Sequence, residues 1–110
     1  MTDIEITDPQ YGDKIRLMQM LSLVRDPELD LNIVDLGLIY EIDINKETSE
    51  IEITMTLSTR ACPAGDYIKA GVELMAKEAF KDYNIKVDIT FEPQWSADMI
   101  SEEGREELGW

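Results

Sequence analysis

The chain is predicted to fold as a small α+β domain of two layers, ordered helix, strand, strand, helix, strand, with a short C-terminal helix and a mixed three-stranded sheet. Three observations predict it. Two stretches, about 38–44 and 51–57, alternate apolar and polar residues, and the polar run Asn45-Lys46-Glu47-Thr48-Ser49 separates them, as in an antiparallel hairpin. A long segment from Pro63 to about Tyr83 carries Ile68, Val72, Met75 and Ala79 at helical spacing. A third alternating stretch, with Ile85, Val87, Ile89 and Phe91 on one face, follows that helix. A strand–helix–strand unit makes its two strands parallel.

The elements follow in order. Residues 1–12 read as a flexible acidic N-terminal tail, and residues 13–110 as the domain. Asp13 is placed to cap a first helix through about Arg25, with Ile15, Met18, Leu21 and either Leu17 or Val24 as its apolar stripe. Asp26-Pro27 stops that helix, because a residue before proline avoids the α region. Residues 26–37 form a loop too apolar for a linker, so Leu29, Leu31, Ile33, Val34 and Leu36 are expected on the core. The first strand runs from Gly37 to Asn45 with Leu38, Tyr40, Ile42 and Ile44 on one face. The second covers about Glu50 to Ser58, with Ile51, Ile53, Met55 and Leu57 buried and Thr54 and Thr56 on the wet side. Ser101 caps a last helix, Glu102 to Leu108, with acids in its first turn and Gly109 after its end.

Composition excludes several functions. With 24 acidic and 10 basic residues the net charge is -14, which repels nucleic acid and anionic membranes. Neither is an expected partner. No apolar run reaches the roughly 18–20 residues that span a bilayer, and residues 1–13 do not resemble a signal peptide. A single cysteine permits no internal disulfide. These features together predict a cytoplasmic protein. The chain has no histidine, which removes histidine metal sites and Ser-His-Asp or Cys-His nucleophile pairs.

The one cysteine, Cys62, stands where the second strand hands over to the second helix. Pro63 fits the first helical position, so Cys62 is expected at or beside the N-cap. Unpaired N–H groups and the helix dipole there favour an anion. A thiol in such a place can be drawn from about 8.5 into a range of about 3.5–7.5. Arg60 acts in the same direction and Asp66, in the first turn, against it. Cys62 therefore reads either as a reactive thiol or as a small buried hydrophobe. The carboxylates Asp26, Glu28, Asp30 and Asp35 read either as turn and capping groups or as acids facing the thiol. Trp95 and Met99, outside the regular elements, read as packing residues, as a cover for the thiol or as a partner-docking pair.

Several motifs occur together: Asp26-Pro27-Glu28, then Asn32-Ile-Val-Asp35-Leu-Gly37-Leu38-Ile39-Tyr40, then Thr54-Met-Thr-Leu57 leading to Ala61-Cys62-Pro63, then Pro93-Gln-Trp95 followed by Met99-Ile-Ser-Glu-Glu. In this order and spacing they resemble the SufT/PaaD-like metal–sulfur cluster biosynthesis family, over nearly all of the chain from Ile15 onward. Ala61 stands where many members carry glycine, and Ala97 where many carry a second proline.

The resemblance implies an iron–sulfur assembly fold and an accessory role in iron–sulfur cluster assembly or transfer, rather than an enzyme. It implies Cys62 as the reactive thiol and possible metal or cluster ligand. It implies Asp26, Asp35, Thr56 and Thr59 as supporting site residues, beside Asp66. No tightly bound cofactor is expected, because one thiolate cannot hold a cluster that usually takes four ligands. A transient iron or iron–sulfur cluster, shared with a partner or across a homodimer, is compatible with one. The partners implied are iron–sulfur assembly proteins or client apoproteins. Two other readings stand beside this one. A PaaD-like factor would serve one multicomponent aromatic-ring oxygenase, though those relatives often carry extra cysteines near the C-terminus. A stand-alone thiol enzyme would need a carboxylate as base in place of histidine.

Overall fold

The computed structural model describes residues 7–59 and 63–110. Helix α1 spans Tyr11–Leu21 and is followed by two very short strands, β1 (Arg25–Asp26) and β2 (Leu31–Asn32). Strands β3 (Ile39–Asn45) and β4 (Glu50–Met55) come next, then helix α2 (Gly65–Ala79) and strand β5 (Asn84–Ile89). A 3-10 turn at Ala97–Met99 leads into helix α3 (Glu102–Leu108).

The main sheet has the order β3-β4-β5, antiparallel between β3 and β4 and parallel between β4 and β5. The mixed three-stranded sheet is therefore as expected. Ile42, Ile44, Ile51, Ile53, Met55 and Val87 share one core with Leu17 and Leu21 of α1 and Ile68, Val72 and Ala76 of α2. The opposite ends of the alternation, Glu41, Asp43 and Glu52, are exposed.

The first helix differs from expectation at both ends. It begins at Tyr11, and Asp13 sits in its first turn rather than capping it. The turn before it is held by Asp8, whose Oδ1 accepts from the Gln10 N–H at 2.8 Å and whose main-chain oxygen accepts from the Tyr11 N–H at 3.0 Å. Asp8-Pro9 is a turn-forming pair, and that was the better start signal. The helix stops at Leu21, four residues before Arg25. Tight turns at Leu23 and Val24 then redirect the chain so that Arg25–Asp26 pairs with Leu31–Asn32.

The apolar segment 26–37 is part of the core, as expected. Leu31, Ile33 and Leu36 are fully buried, and Leu29 and Val34 pack against them. Full burial of such a side chain contributes about 1.5–3 kcal/mol, more than a solvated connection would supply. Its β1–β2 pairing was not expected.

Strand β3 carries a bulge between Ile39 and Glu41. Ile39 is opposite Met55 and Ile42 opposite Ile53, so Ile39 joins the core face and Tyr40 leaves it. The expected placement of Tyr40 beside Ile42 and Ile44 is thereby corrected. Strand β4 ends at Met55 rather than Ser58, although the Thr56 N–H still donates to the Leu38 oxygen at 2.8 Å.

Helix α2 is shorter than expected at both ends. Ala64 occupies its N-cap, without a side-chain cap, and Pro63 precedes the helix instead of opening it. Its last turn is closed by tertiary contacts. Arg16 donates to the Ala79 oxygen at 3.0 Å, and its guanidinium carbon lies 4.2 Å from the centre of the Phe80 ring. The last helix agrees with expectation: the Ser101 hydroxyl accepts from the Gly104 N–H, and Gly109 ends the helix at φ 78°.

Candidate functional site

The site is built where three stretches converge: the 26–37 loop, the end of β4, and the segment 93–101. Leu38 joins the first two. Its N–H donates to the Ile33 oxygen at 3.1 Å, and its own oxygen accepts from Thr56 at 2.8 Å. The loop is thus tied to the strand end that runs on toward Cys62. Cys62, with Arg60 and Ala61, lies outside the described residues, so the expectations for the thiol and for Arg60 beside it do too.

Asp26 is fully buried in this loop. Its Oδ1 accepts from the N–H groups of Glu28 at 2.8 Å and Leu29 at 3.4 Å, which is the turn chemistry its Asp-Pro context favours. Its Oδ2 is buried with no hydrogen-bond partner among the described residues. An orphaned buried acceptor costs about 1–3 kcal/mol, more for a charged one.

Asp35 is engaged differently. Its Oδ2 accepts from Asn32 Nδ2 and its Oδ1 from the Ser101 hydroxyl, both at 2.8 Å. Its main-chain oxygen accepts from the Ser101 N–H at 2.7 Å, and its own N–H donates to Asn32 Oδ1 at 2.9 Å. Both carboxylate oxygens are occupied. Asp35 clamps the start of α3 onto the loop, and the sequence reading had missed Asn32 and Ser101 as its partners. The i, i+3 spacing of Asn32 and Asp35 in a turn was the available signal.

Segment 93–101 crosses the loop as a strap. Trp95 Nε1–H donates to the Leu36 oxygen at 2.6 Å. The Tyr40 hydroxyl donates to the Pro93 oxygen at 2.7 Å and approaches Met99 Sδ at 3.6 Å. Gly37, at φ 80°, lies directly under the Met99 main chain, where a Cβ would collide with the Met99 oxygen and come to 2.9 Å from its Cβ. Trp95 and Met99 are both half-buried, and Trp95 packs against the core.

Thr56, expected on the wet side, is fully buried. The bulge turns Tyr40 to the face where Thr56 lies, and the two side chains are neighbours there. Burial pushes the Tyr40 phenol above its ordinary value, and the Thr56 contact partly opposes it. Thr59 is exposed, and Asp66 is exposed in the first turn of α2. The structure thus brings Thr56 together with Tyr40 and Met99, and Asp35 together with Ser101; Thr59 and Asp66 join neither group. Among the described residues no three His, Cys, Asp or Glu side chains form a metal-holding group.

Residues 14–89 match the family described as iron-sulfur cluster assembly protein. The chain belongs to that family. An Fe-S protein maturation auxiliary factor of Porphyromonas gingivalis is 42% identical over 94 residues, 86% of this chain and 89% of that protein. The Fe-S protein maturation auxiliary factor SufT of Staphylococcus aureus is 34% identical over 79% of this chain and 98% of its own length. A crystal structure from Bacillus anthracis, described as a domain of unknown function DUF59, superposes with a TM-score of 0.82 at 30% identity, covering 89% of this chain and 92% of that one. The resemblance drawn from the motifs and the α+β fold class both stand. No helix among the described residues is long and apolar enough to cross a membrane.

Proposed function

We propose that the protein is a cytoplasmic accessory factor that helps install iron–sulfur clusters in client proteins, and that it does so without turning over a substrate of its own. The cluster or iron is cargo. The chain offers one thiolate, Cys62, and no histidine, so its own donor set does not fit a resident cluster. Cys62 supplies one ligand, and the others come from an assembly protein, a client apoprotein or a second copy of the chain. The family membership and the names of the relatives support the accessory role.

The observation that carries the site is the free, buried Oδ2 of Asp26 in a loop tied through Leu38 to the strand that leads to Cys62. A carboxylate oxygen without a partner among the described residues is available to a cation or to a partner's N–H when cargo arrives.

The test is complementation. Cells lacking the protein are supplied with the wild-type chain, Cys62→Ser or Asp26→Asn, and the activity of a cluster-dependent enzyme is measured against its protein level. Restoration by the wild type, with loss in Cys62→Ser, is the expected result. Full restoration by Cys62→Ser overturns the role of the thiol.

A further inference from the structure

Large apolar side chains are exposed at four places among the described residues: Leu23 (67%), Tyr67 (66%), Leu74 (57%) and Trp110 (67%). Three of the four line one groove, between the end of α1 and the outer face of α2. It has a volume of about 450 Å³ and includes Val24, Gly71 and Met75 along with Leu23, Tyr67 and Leu74. Gly71 forms the low point, because any Cβ there would press to 3.1 Å from Val24 Cγ1. Tyr67, Gly71 and Leu74 follow one another at i, i+4 and i+7, a continuous ridge on the helix side turned away from the buried Ile68, Val72 and Ala76. A stripe of this kind in an otherwise charged surface marks an interaction site rather than chance exposure.

Its borders specify the occupant. Glu78 stands one turn beyond Leu74, and Asp66 and Glu73 each precede a ridge residue by one position. All three are exposed, and none forms an ion pair with any described residue. Of the two lysines of α2 near them, Lys77 is drawn away to the Tyr83 oxygen at 2.7 Å, and Lys69 forms no ion pair with any described residue. The groove is therefore apolar along its floor and acidic along its rim, on a chain of net charge -14. A second copy would bring the same acids against themselves.

The geometry points to this groove as the docking site for an amphipathic helix with a basic flank, presented by the partner that exchanges cargo with the Cys62 region. This rests on the accessory-factor reading for the partner's role, and on the groove alone for its chemistry. Apolar anchors enter beside Tyr67 and Leu74, and lysines or arginines meet Asp66, Glu73 and Glu78. The docked helix lies along the half of α2 that follows Cys62 in the chain, so docking and cargo contact occur on adjoining segments.

The experiment is a titration of the full chain, followed by amide NMR shifts, with a synthetic leucine–lysine amphipathic peptide and with a leucine–glutamate peptide of the same apolar face. The leucine–lysine peptide is expected to shift the amides of Leu23, Gly71 and Leu74, and Leu74→Ser is expected to weaken it about tenfold or more, the loss of one buried leucine. Leu74 is largely exposed, so its replacement leaves the fold intact. The inference is overturned if the shifts fall instead on the acidic sheet face, if the glutamate peptide binds equally, or if the free chain self-associates through these same residues. In the complementation assay, loss with both Leu74→Ser and Cys62→Ser supports the groove. Loss with Cys62→Ser alone overturns the groove and leaves the accessory role standing. Unimpaired maturation with both overturns the groove and the role of the thiol, and leaves the accessory role standing on the rescue itself.

Discussion

The indole N–H of Trp95 donates to the main-chain oxygen of Leu36 at 2.6 Å, joining two residues 59 positions apart. Leu36 is fully buried, and its main-chain oxygen needs a hydrogen-bond partner there. The strap 93–101 is therefore held on the loop by a directed bond as well as by contact. Replacing Trp95 with phenylalanine keeps most of the apolar contact and leaves the Leu36 oxygen unpaired. A loss of about 1–2 kcal/mol in urea-unfolding stability is expected.

Gly37 makes a sharper prediction. Its φ of 80° and the Met99 main chain above it both exclude a side chain. Gly37→Ala is expected to cost more than about 2 kcal/mol, since the left-handed conformation alone costs roughly 1–2. Gly12 is the control. It lies in α1 with nothing within 4 Å of a Cβ position, so Gly12→Ala is expected to stabilise by up to about 1 kcal/mol. Equilibrium unfolding of the two variants side by side reads both signs.

Asp26 and Asp35 separate under mutation. Asp35→Ala strands Asn32 Nδ2 and the Ser101 hydroxyl and releases the start of α3, with an expected cost of about 2–3 kcal/mol. Asp26→Asn keeps the Oδ1 that accepts from Glu28 and Leu29 and changes only the orphaned atom. Its stability is expected to be unchanged or improved while maturation in cells falls. Unfolding curves and the complementation assay together distinguish a clamp from a site residue.

The strap also has a pH limit. Burial raises the Tyr40 phenol above 10.0 in the folded protein, and the neutral hydroxyl is what donates to the Pro93 oxygen. A raised folded value means that the contribution is complete below the unfolded value of 10.0 and is lost as pH rises through the higher folded value. Tyr40→Phe is expected to be less stable than the wild type near neutrality and to lose less on going to strongly alkaline pH. Denaturation midpoints of both proteins across that range check it.

The fold was readable where periodicity is strong. Ile51, Ile53 and Met55 and the Ser101 and Gly109 caps stand as their patterns require, and the α2 stripe stands at Ile68 and Val72, with Ala76 buried where Met75 and Ala79 are only partly so. The bulge at Tyr40 was not readable, because Leu38 and Ile39 are both apolar and either register buries a hydrophobe. The pairing of Arg25–Asp26 with Leu31–Asn32 was not readable either, since two-residue strands carry no period. For the candidate site the sequence names residues but not their arrangement: Thr59 and Asp66 join neither cluster, and Cys62 lies outside the described residues. Asp35 and Asp26 are the same residue type in neighbouring motifs, and only tertiary contacts with Ser101 show that one is occupied and the other free. The exposed ridge at Tyr67 and Leu74 was hidden for a similar reason: on an amphipathic helix, apolar residues beyond the core stripe look like breadth of that stripe.

Because Cys62 is the only cysteine, a single alkylation experiment addresses it without ambiguity. The folded chain is treated with iodoacetamide at neutral pH, and the adduct is followed by intact mass against the same chain unfolded in denaturant. An available, reactive sulfur predicts labelling of the native protein at least as fast as that of the unfolded chain. Labelling that occurs only once the chain is unfolded would contradict it.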